Sequence, residues 1–161
     1  MQNQNEVLKK IVVDTWNSQI VRTTKLLDSF TDEQLAQEIA PSRNSGTYLL
    51  GHLIAVHDHM LPLLGLGTRL HPELDELFIK NPDKSGLQKP TVAQLRKNWN
   101  DVNRLLSEKL ATLTSEQWFE KHTSVSAEDF VKEPHRNRLN VVLSRTNHLN
   151  YHLGQLTLLN K

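Results

Sequence analysis

The sequence predicts an all-α protein, a four-helix bundle with long connections and short extra helices. Apolar residues recur with helical spacing in four long segments. Thr-x-x-Gln pairs, which have the spacing of a capping box, precede several helical segments. No segment shows the alternation of a half-buried strand. Neither a linker nor a repeat divides the chain of 161 residues. We therefore expect one domain over residues 1–161.

The first long helix is predicted over residues 5–29, where apolar side chains follow a period of three to four residues. They are Leu8, Ile11, Val12, Trp16, Ile20 and Leu27. Thr31 and Gln34 then have capping-box spacing and predict a short helix before Pro41.

The second long helix is predicted over residues 47–64, and a long connection over residues 65–90 follows it. Within that connection, "HPELDELF" predicts one short helix with Pro72 near its first turn. Thr91 and Gln94 open the third long helix, which runs to about Leu110.

The fourth long helix is predicted over residues 137–159, with Asn137 as its cap. Before it, Thr114 and Gln117 have capping-box spacing, and "SVSAEDFVKEPHRN" is interpreted as loop and short turn. The long connections over residues 65–90 and 112–136 permit a topology other than simple up-and-down.

Composition excludes several classes of function. The formal net charge is +1 and basic residues are scattered, so we expect no nucleic-acid partner. No run of about 18 apolar residues is present, and the polar N-terminus lacks the apolar centre of a signal peptide. We therefore expect no membrane partner and a cytoplasmic location. Without cysteine, the chain has neither a disulfide nor a thiol nucleophile of its own.

Two of the eight histidines lie four residues apart in the last helix, in the stretch "NHLNYHLGQL". His148 and His152 therefore share one helix face, which also carries Arg145 and Gln155 and borders the apolar stripe. Two imidazoles at this spacing can chelate a metal ion, as in helical HExxH enzymes. The glutamate of that motif is missing here, so its general base is missing too. The other interpretation is that the pair fills the edge of the bundle.

The second helix offers three further histidines in "GHLIAVHDHM". His52 and His59 share a side, and either is a credible third ligand. They are two turns apart, about 10 Å along the helix, so both cannot bind one ion. His57 lies on the far flank of the apolar stripe and is interpreted as a histidine of the core edge or the surface.

These residues resemble the DinB-like (damage-inducible) superfamily of metal-dependent proteins. The likeness covers most of the chain and includes the helix order, the "GH" of the second helix and the terminal His-x-x-x-His-x-Gly-Gln. It implies a four-helix bundle with a long connection after the second helix. It also implies a metal site formed by His52, His148 and His152, without His59. The family commonly has arginine where this chain has Leu153.

The resemblance further implies a divalent metal ion, Zn²⁺, Ni²⁺ or Fe²⁺, with a low-molecular-weight thiol as a possible cosubstrate. Three imidazoles leave coordination positions open, as in catalytic sites. We therefore expect a thiol-dependent S-transferase or a hydrolase acting on a small molecule. Relatives pair through bundle helices, which implies a homodimer. Two alternatives stay open: a metal- or small-molecule-binding bundle without turnover, and histidines with a purely structural role.

Other candidates surround this site in the sequence. Gln155 is interpreted as holding a ligand or a bound water, or as a solvated helix residue. Arg145 is interpreted as an exposed helix arginine, with capture of an anionic substrate group as the alternative. His135 is taken as a loop histidine without an assigned role. The three tryptophans are predicted to anchor the core; they are Trp16, Trp99 and Trp118.

Overall fold

Helices account for most of the molecule, and their order follows the sequence prediction. A computed structural model of the chain describes residues 4–160. In chain order the helices are α1 (Gln4–Ser29), α2 (Asp32–Leu35), α3 (Gly46–Asp58), α4 (Met60–Leu63), α5 (Leu74–Phe78), α6 (Val92–Ala111), α7 (Ser115–Trp118), α8 (Ala127–Lys132) and α9 (Arg138–Leu156), followed by a 3₁₀ turn at Thr157–Leu159. The described residues contain no β-strand. The all-α prediction is therefore confirmed.

Side-chain caps fix where the helices begin. Each of the three predicted capping boxes is present. The threonine hydroxyl accepts from the backbone N–H of the glutamine, and the side-chain oxygen of the glutamine accepts from the backbone N–H of the threonine. The pairs are Thr31 with Gln34, Thr91 with Gln94, and Thr114 with Gln117. Asn137 caps α9 as predicted, because its side chain accepts from the N–H of Asn140.

The predicted second helix is interrupted. Instead of one helix over residues 47–64, α3 ends at Asp58, His59 lies in a turn, and α4 follows. Pro62 explains the interruption. Proline has no N–H to donate to the carbonyl four residues earlier, which is that of Asp58, and its ring crowds that carbonyl.

The segment predicted as loop and short turn before the last helix contains α8. The hydroxyl of Ser126 caps this helix by accepting from the N–H of Asp129. Glu128 and Asp129 lie in its first turn, where negative charge is favourable. Local capping is therefore enough to convert part of this connection into six residues of helix.

The core lies between the four long helices. Helix α1 packs along α9, while α3 packs against α5, α6 and α9. All three tryptophans are buried in this core, as predicted: Trp16, Trp99 and Trp118. No helix of the described part of the chain is both long and apolar enough to cross a membrane.

An ion-pair network folds the long connection after α4 back onto α3. The buried carboxylate of Asp58 accepts from Arg69 Nε at 3.1 Å and from the backbone N–H groups of Leu70 and His71. Arg69 also donates twice, at 2.6 Å each, to Asp75 in α5. Because both carboxylates share one guanidinium, α5 is held against α3.

Candidate metal centre

Three histidine side chains from two helices meet at one point between α3 and α9. They are His52 of α3 with His148 and His152 of α9, called here the histidine triad. Nε2 of His148 lies 3.3 Å from Nε2 of His52 and 3.1 Å from Nε2 of His152. The structure therefore brings together the three residues that the family resemblance implies as metal ligands.

The ring of His52 is held by the backbone of the long connection. Its Nδ1–H donates to the carbonyl oxygen of Phe78 at 2.9 Å. Phe78 is the last residue of α5, where carbonyl groups have no partner within the helix and are free to accept. A bond at Nδ1 fixes the tautomer and leaves the Nε2 lone pair directed at the other two rings. Tyr48 stacks parallel to His52 at 6.4 Å between ring centroids.

The ring of His152 is held within its own helix. Its Nδ1–H donates to Oε1 of Gln155 at 2.7 Å, and Nε2 of Gln155 donates to the hydroxyl of Tyr151 at 3.2 Å. Gln155 is therefore not merely a solvated helix residue: its amide oxygen holds the ring of His152, a member of the triad. The Nε2 lone pair of His152 faces His148 as a result.

The ring of His148 lies between the other two and has no comparable anchor. Its Nδ1 is buried without a hydrogen-bond partner among residues 4–160, and the ring packs edge-on against His152 with centroids 4.5 Å apart. Burial, followed by the nearby His152 and His52, lowers the pKa of His148 from 6.5 to about 4. Burial also lowers the pKa of His152, partly opposed by the bond to Gln155. Both rings are therefore neutral at pH 7, which is the form that binds metal.

The donor set fits a divalent transition-metal ion. Imidazole nitrogens about 2.0–2.1 Å from a tetrahedral zinc ion lie about 3.4 Å from one another. The candidate ligand atoms of the triad all lie within 4.8 Å of one another, and two pairs are close to that spacing. Two lone pairs fixed by hydrogen bonds at Nδ1 converge on one place, where a cation would satisfy both.

Comparison with known families agrees with this geometry. The profile of the DinB superfamily matches residues 16–156, which include all three triad histidines, the second half of α1 and the whole of α3, α6 and α9. The chain belongs to the DinB superfamily. The resemblance drawn from "GH" and the terminal histidine signature is thereby confirmed.

A solved structure shares the DinB fold seen here. It is a conserved protein from Enterococcus faecalis, and it superposes with a TM-score of 0.62 over 92% of each chain. The two sequences are 18% identical, so this likeness supports the fold alone. No curated protein shows significant similarity to the chain.

At one position of the signature the chain differs from the common DinB pattern. Leu153 stands where arginine is common, directly after His152, and its side chain is buried. An apolar, buried residue contributes packing and no charge. Positive charge near the triad comes instead from Arg145, one turn before His148 on the same helix.

The remaining histidines of α3 and its turn lie outside the triad. His59 is hydrogen-bonded to Asp75, at 3.0 Å from Nε2 to Oδ2, and is not a member of the triad. The prediction for His57 was wrong, because its side chain is fully buried. Nδ1 of His57 lies 2.8 Å from Oδ1 of Asn103, and the ring packs between Trp16 and Trp99. Both α1 and α6 cover this face of α3, which local periodicity does not reveal.

His135 and Arg145 differ in their exposure. His135 is exposed in the loop before α9, and its side chain makes no hydrogen bond with the part of the chain that the structure describes. Arg145 is half-buried rather than exposed, and it lines a cavity of about 420 Å³ between α3, α4 and α9. Burial lowers the pKa of its guanidinium, which nevertheless stays charged at neutral pH.

Sequence reasoning missed two groups that build the site. The carbonyl of Phe78 orients His52, and the ring of Tyr48 covers it. A signal for Phe78 existed in Gly51, the glycine beside His52 inside a helix. A Cβ at Gly51 would overlap the Phe78 ring, so the glycine marks the close approach of α5.

Proposed function

We propose that the histidine triad binds a divalent metal ion, Zn²⁺, Ni²⁺ or Fe²⁺, and that the protein is a metal-dependent enzyme. One observation carries this proposal: three imidazoles converge while hydrogen bonds at Nδ1 orient two of them. This is the usual construction of a metal site, in which the second ring nitrogen donates to a carbonyl or amide oxygen. A group of histidines that only filled space would not need aligned lone pairs.

Three protein ligands suit a catalytic site better than a structural one, because positions remain for water or substrate. A cavity of about 300 Å³ reaches the triad directly, since His152 lines it together with Tyr151 and Gln155. Arg43 and Asn44, in the loop after α2, form its other side. A small molecule entering this cavity would meet polar side chains on both walls.

The reaction class that we propose is thiol-dependent S-transfer or hydrolysis of a small molecule, as the family resemblance implies. When bound, a divalent metal ion would lower the pKa of a coordinated water or thiol toward neutrality. The chain has no cysteine, so a thiol in such a reaction would come from a low-molecular-weight cosubstrate. The protein itself supplies orientation of the triad through Phe78 and Gln155, and a hydroxyl from Tyr151 at the cavity wall.

Metal analysis of protein purified without a histidine tag tests the proposal. Each of the variants His52→Ala, His148→Ala and His152→Ala removes one of three protein ligands, so bound divalent metal should fall sharply in all of them. His135→Ala is the matched control, because His135 is exposed and away from the triad. Equal metal content in the control and the three triad variants, or no metal in the unmodified protein, would refute the proposal.

A second candidate is a metal- or small-molecule-binding bundle without turnover. It is favoured by the absence of Asp and Glu from the described residues that line the two cavities at α9. Carboxylates are common general bases, and none is in position here. Turnover of ester substrates, or of electrophiles with glutathione or bacillithiol, would support the enzyme. Metal binding without any turnover would favour the second candidate.

The proposed partners are a small-molecule substrate and a second copy of the chain in a homodimer. We propose no nucleic-acid or membrane partner, since the formal net charge is only +1. A cytoplasmic location is part of the same proposal.

A further inference from the structure

The cavity of about 420 Å³ that Arg145 lines is bordered by residues one helical turn away from the triad. Val56 of α3 lies one turn after His52, and Arg145 of α9 lies one turn before His148; both line the cavity. Ile79 also lines it, directly after the residue whose carbonyl holds His52. The cavity and the triad are therefore neighbouring parts of the space between α3 and α9.

The side chain of Arg145 indicates that this cavity binds a ligand. Its half-buried guanidinium makes no hydrogen bond or ion pair with any described residue. Two other arginines with low exposure are fully engaged: Arg69 bonds Asp58 and Asp75, and Arg138 bonds two backbone carbonyls and a glutamate. A partly desolvated charge without a protein partner is unfavourable, so the position of Arg145 is better explained by a partner from outside the chain.

The walls of the cavity indicate what that partner looks like. None of the residues lining it is acidic, so the positive charge of Arg145 is not offset there. Val56, Leu63 and Ile79 provide apolar surface, and the hydroxyl of the exposed Ser124 has no hydrogen-bond partner among the described residues. A volume of this size is typical of small-molecule sites. The ligand should thus combine a negative group with a compact apolar body.

The negative group is better matched by carboxylate than by phosphate. A guanidinium presents parallel N–H donors that fit the two oxygens of a carboxylate. Phosphate sites usually combine several cations or a series of backbone N–H groups, as at the N-terminus of a helix. Among the residues lining this cavity, Arg145 is the sole Arg or Lys.

We propose that Arg145 binds the carboxylate of a small organic acid whose apolar body occupies this cavity. The acid is then a substrate, or part of one, that extends toward the triad; this last step rests on the proposed metal-dependent function. Binding of the acid itself does not depend on metal, because Arg145 is not a member of the triad.

The test uses the full chain in EDTA and follows amide chemical shifts by NMR during titration. The probes are butyrate and benzoate, their neutral amides butyramide and benzamide, and inorganic phosphate. Both carboxylates should bind with shifts confined to the cavity, and both amides should bind at least about tenfold more weakly, because they lack the charge. Equal affinity for acids and amides, or tighter binding of phosphate than of either acid, would overturn the proposal.

Variants locate the binding group. Arg145→Met should weaken binding of both carboxylates at least about tenfold, and Arg145→Lys should retain part of the affinity. Arg104→Met is the matched control, since Arg104 is an exposed arginine of α6 and should leave binding unchanged. Unchanged affinity in Arg145→Met would contradict the proposal. If Arg145→Met does not fold, the Arg145→Lys variant and the comparison of acids with amides still test whether Arg145 binds the carboxylate.

The titration and the metal analysis together separate this inference from the function of the triad. If the unmodified protein bound no metal but did bind the carboxylates, the metal proposal alone would be refuted. Normal metal content with no carboxylate binding would refute the Arg145 site alone. Both readouts are binding measurements and need no enzymatic assay.

Discussion

At the scale of single residues, the histidines of α3 show how strongly surroundings decide what an imidazole does. His52 and His57 are five positions apart on one helix. His52 meets two other histidines and a backbone carbonyl, whereas His57 is enclosed by tryptophans and bonds Asn103. The first arrangement directs a lone pair toward a shared point, and the second keeps a neutral ring inside the core.

The buried His57 predicts a pH-dependent stability. Burial lowers its pKa from 6.5 to about 3, so below pH 6.5 the unfolded chain binds a proton that the folded chain does not. Its contribution to stability is therefore complete above pH 6.5 and is lost as the pH falls toward 3, by up to about 1.4 kcal/mol per pH unit. In EDTA, His57→Gln should reduce the slope of unfolding free energy against pH by about that amount between pH 6 and 5.

Urea denaturation at pH 7, 6 and 5 measures this slope. His135→Gln is the control, because an exposed histidine should leave the slope unchanged. The comparison concerns slopes, so a uniform loss of stability in His57→Gln does not affect it. Identical slopes for the unmodified protein and His57→Gln would show that His57 is not kept neutral by burial.

At the scale of helices, substitution by alanine is expected to change stability in opposite directions at two helical glycines. A Cβ at Gly51 of α3 would overlap the Phe78 ring, while a Cβ at Gly154 of α9 would meet nothing within 4 Å. Alanine is favoured over glycine in a helix by about 1 kcal/mol. Gly154→Ala should therefore stabilise the protein by up to that amount. Gly51→Ala should destabilise it by roughly 1–3 kcal/mol, since overpacking outweighs helix propensity.

Chemical denaturation of the two variants checks both signs. Gly51→Ala should also weaken metal binding, because displacement of Phe78 moves the carbonyl that orients His52. If Gly51→Ala were as stable as Gly154→Ala, α5 would not be packed against α3 as the structure shows.

Helix starts were predictable from sequence because caps are local. Thr31, Thr91 and Thr114 each lie three residues before a glutamine, and all three capping boxes form. The break at His59 also has a local cause, because Pro62 cannot donate a helical hydrogen bond. We nevertheless predicted one continuous helix, because residues 47–64 are apolar with helical spacing. The burial of His57 was not predictable in this way, because it depends on α1 and α6 packing over α3.

The triad, too, was predictable only in its local features. Its two C-terminal members follow from their spacing on α9, and the choice of His52 over His59 came from the family resemblance. The carbonyl of Phe78 has no sequence signature of its own, since every residue carries one, and Gly51 marks only the close approach of the Phe78 ring. Its position depends on the network in which Arg69 joins Asp58 to Asp75.

At the scale of the whole molecule, the triad joins two helices that are far apart in sequence. His52 and His148 are separated by 96 positions, and α3 and α9 also contact each other through the core. A metal ion bound there would stabilise the folded state, yet the core does not need it. Large buried side chains that lie outside the triad include Trp16, Trp99, Trp118 and Phe78.

Chelation should consequently lower the melting temperature without unfolding the protein. An ion present at a hundredfold excess over its Kd adds about 2.7 kcal/mol if it binds only the folded state. For a domain of this size, that corresponds to a shift of roughly 5–10 °C. Thermal melts followed by circular dichroism, with EDTA and with added Zn²⁺, Ni²⁺ or Fe²⁺, measure the shift. The double variant His148→Ala/His152→Ala should melt at the same temperature in all conditions, because its site is lost. A metal-dependent shift that persisted in this variant would place the ion elsewhere, and an EDTA-treated protein unfolded at 25 °C would show that the bundle depends on its metal.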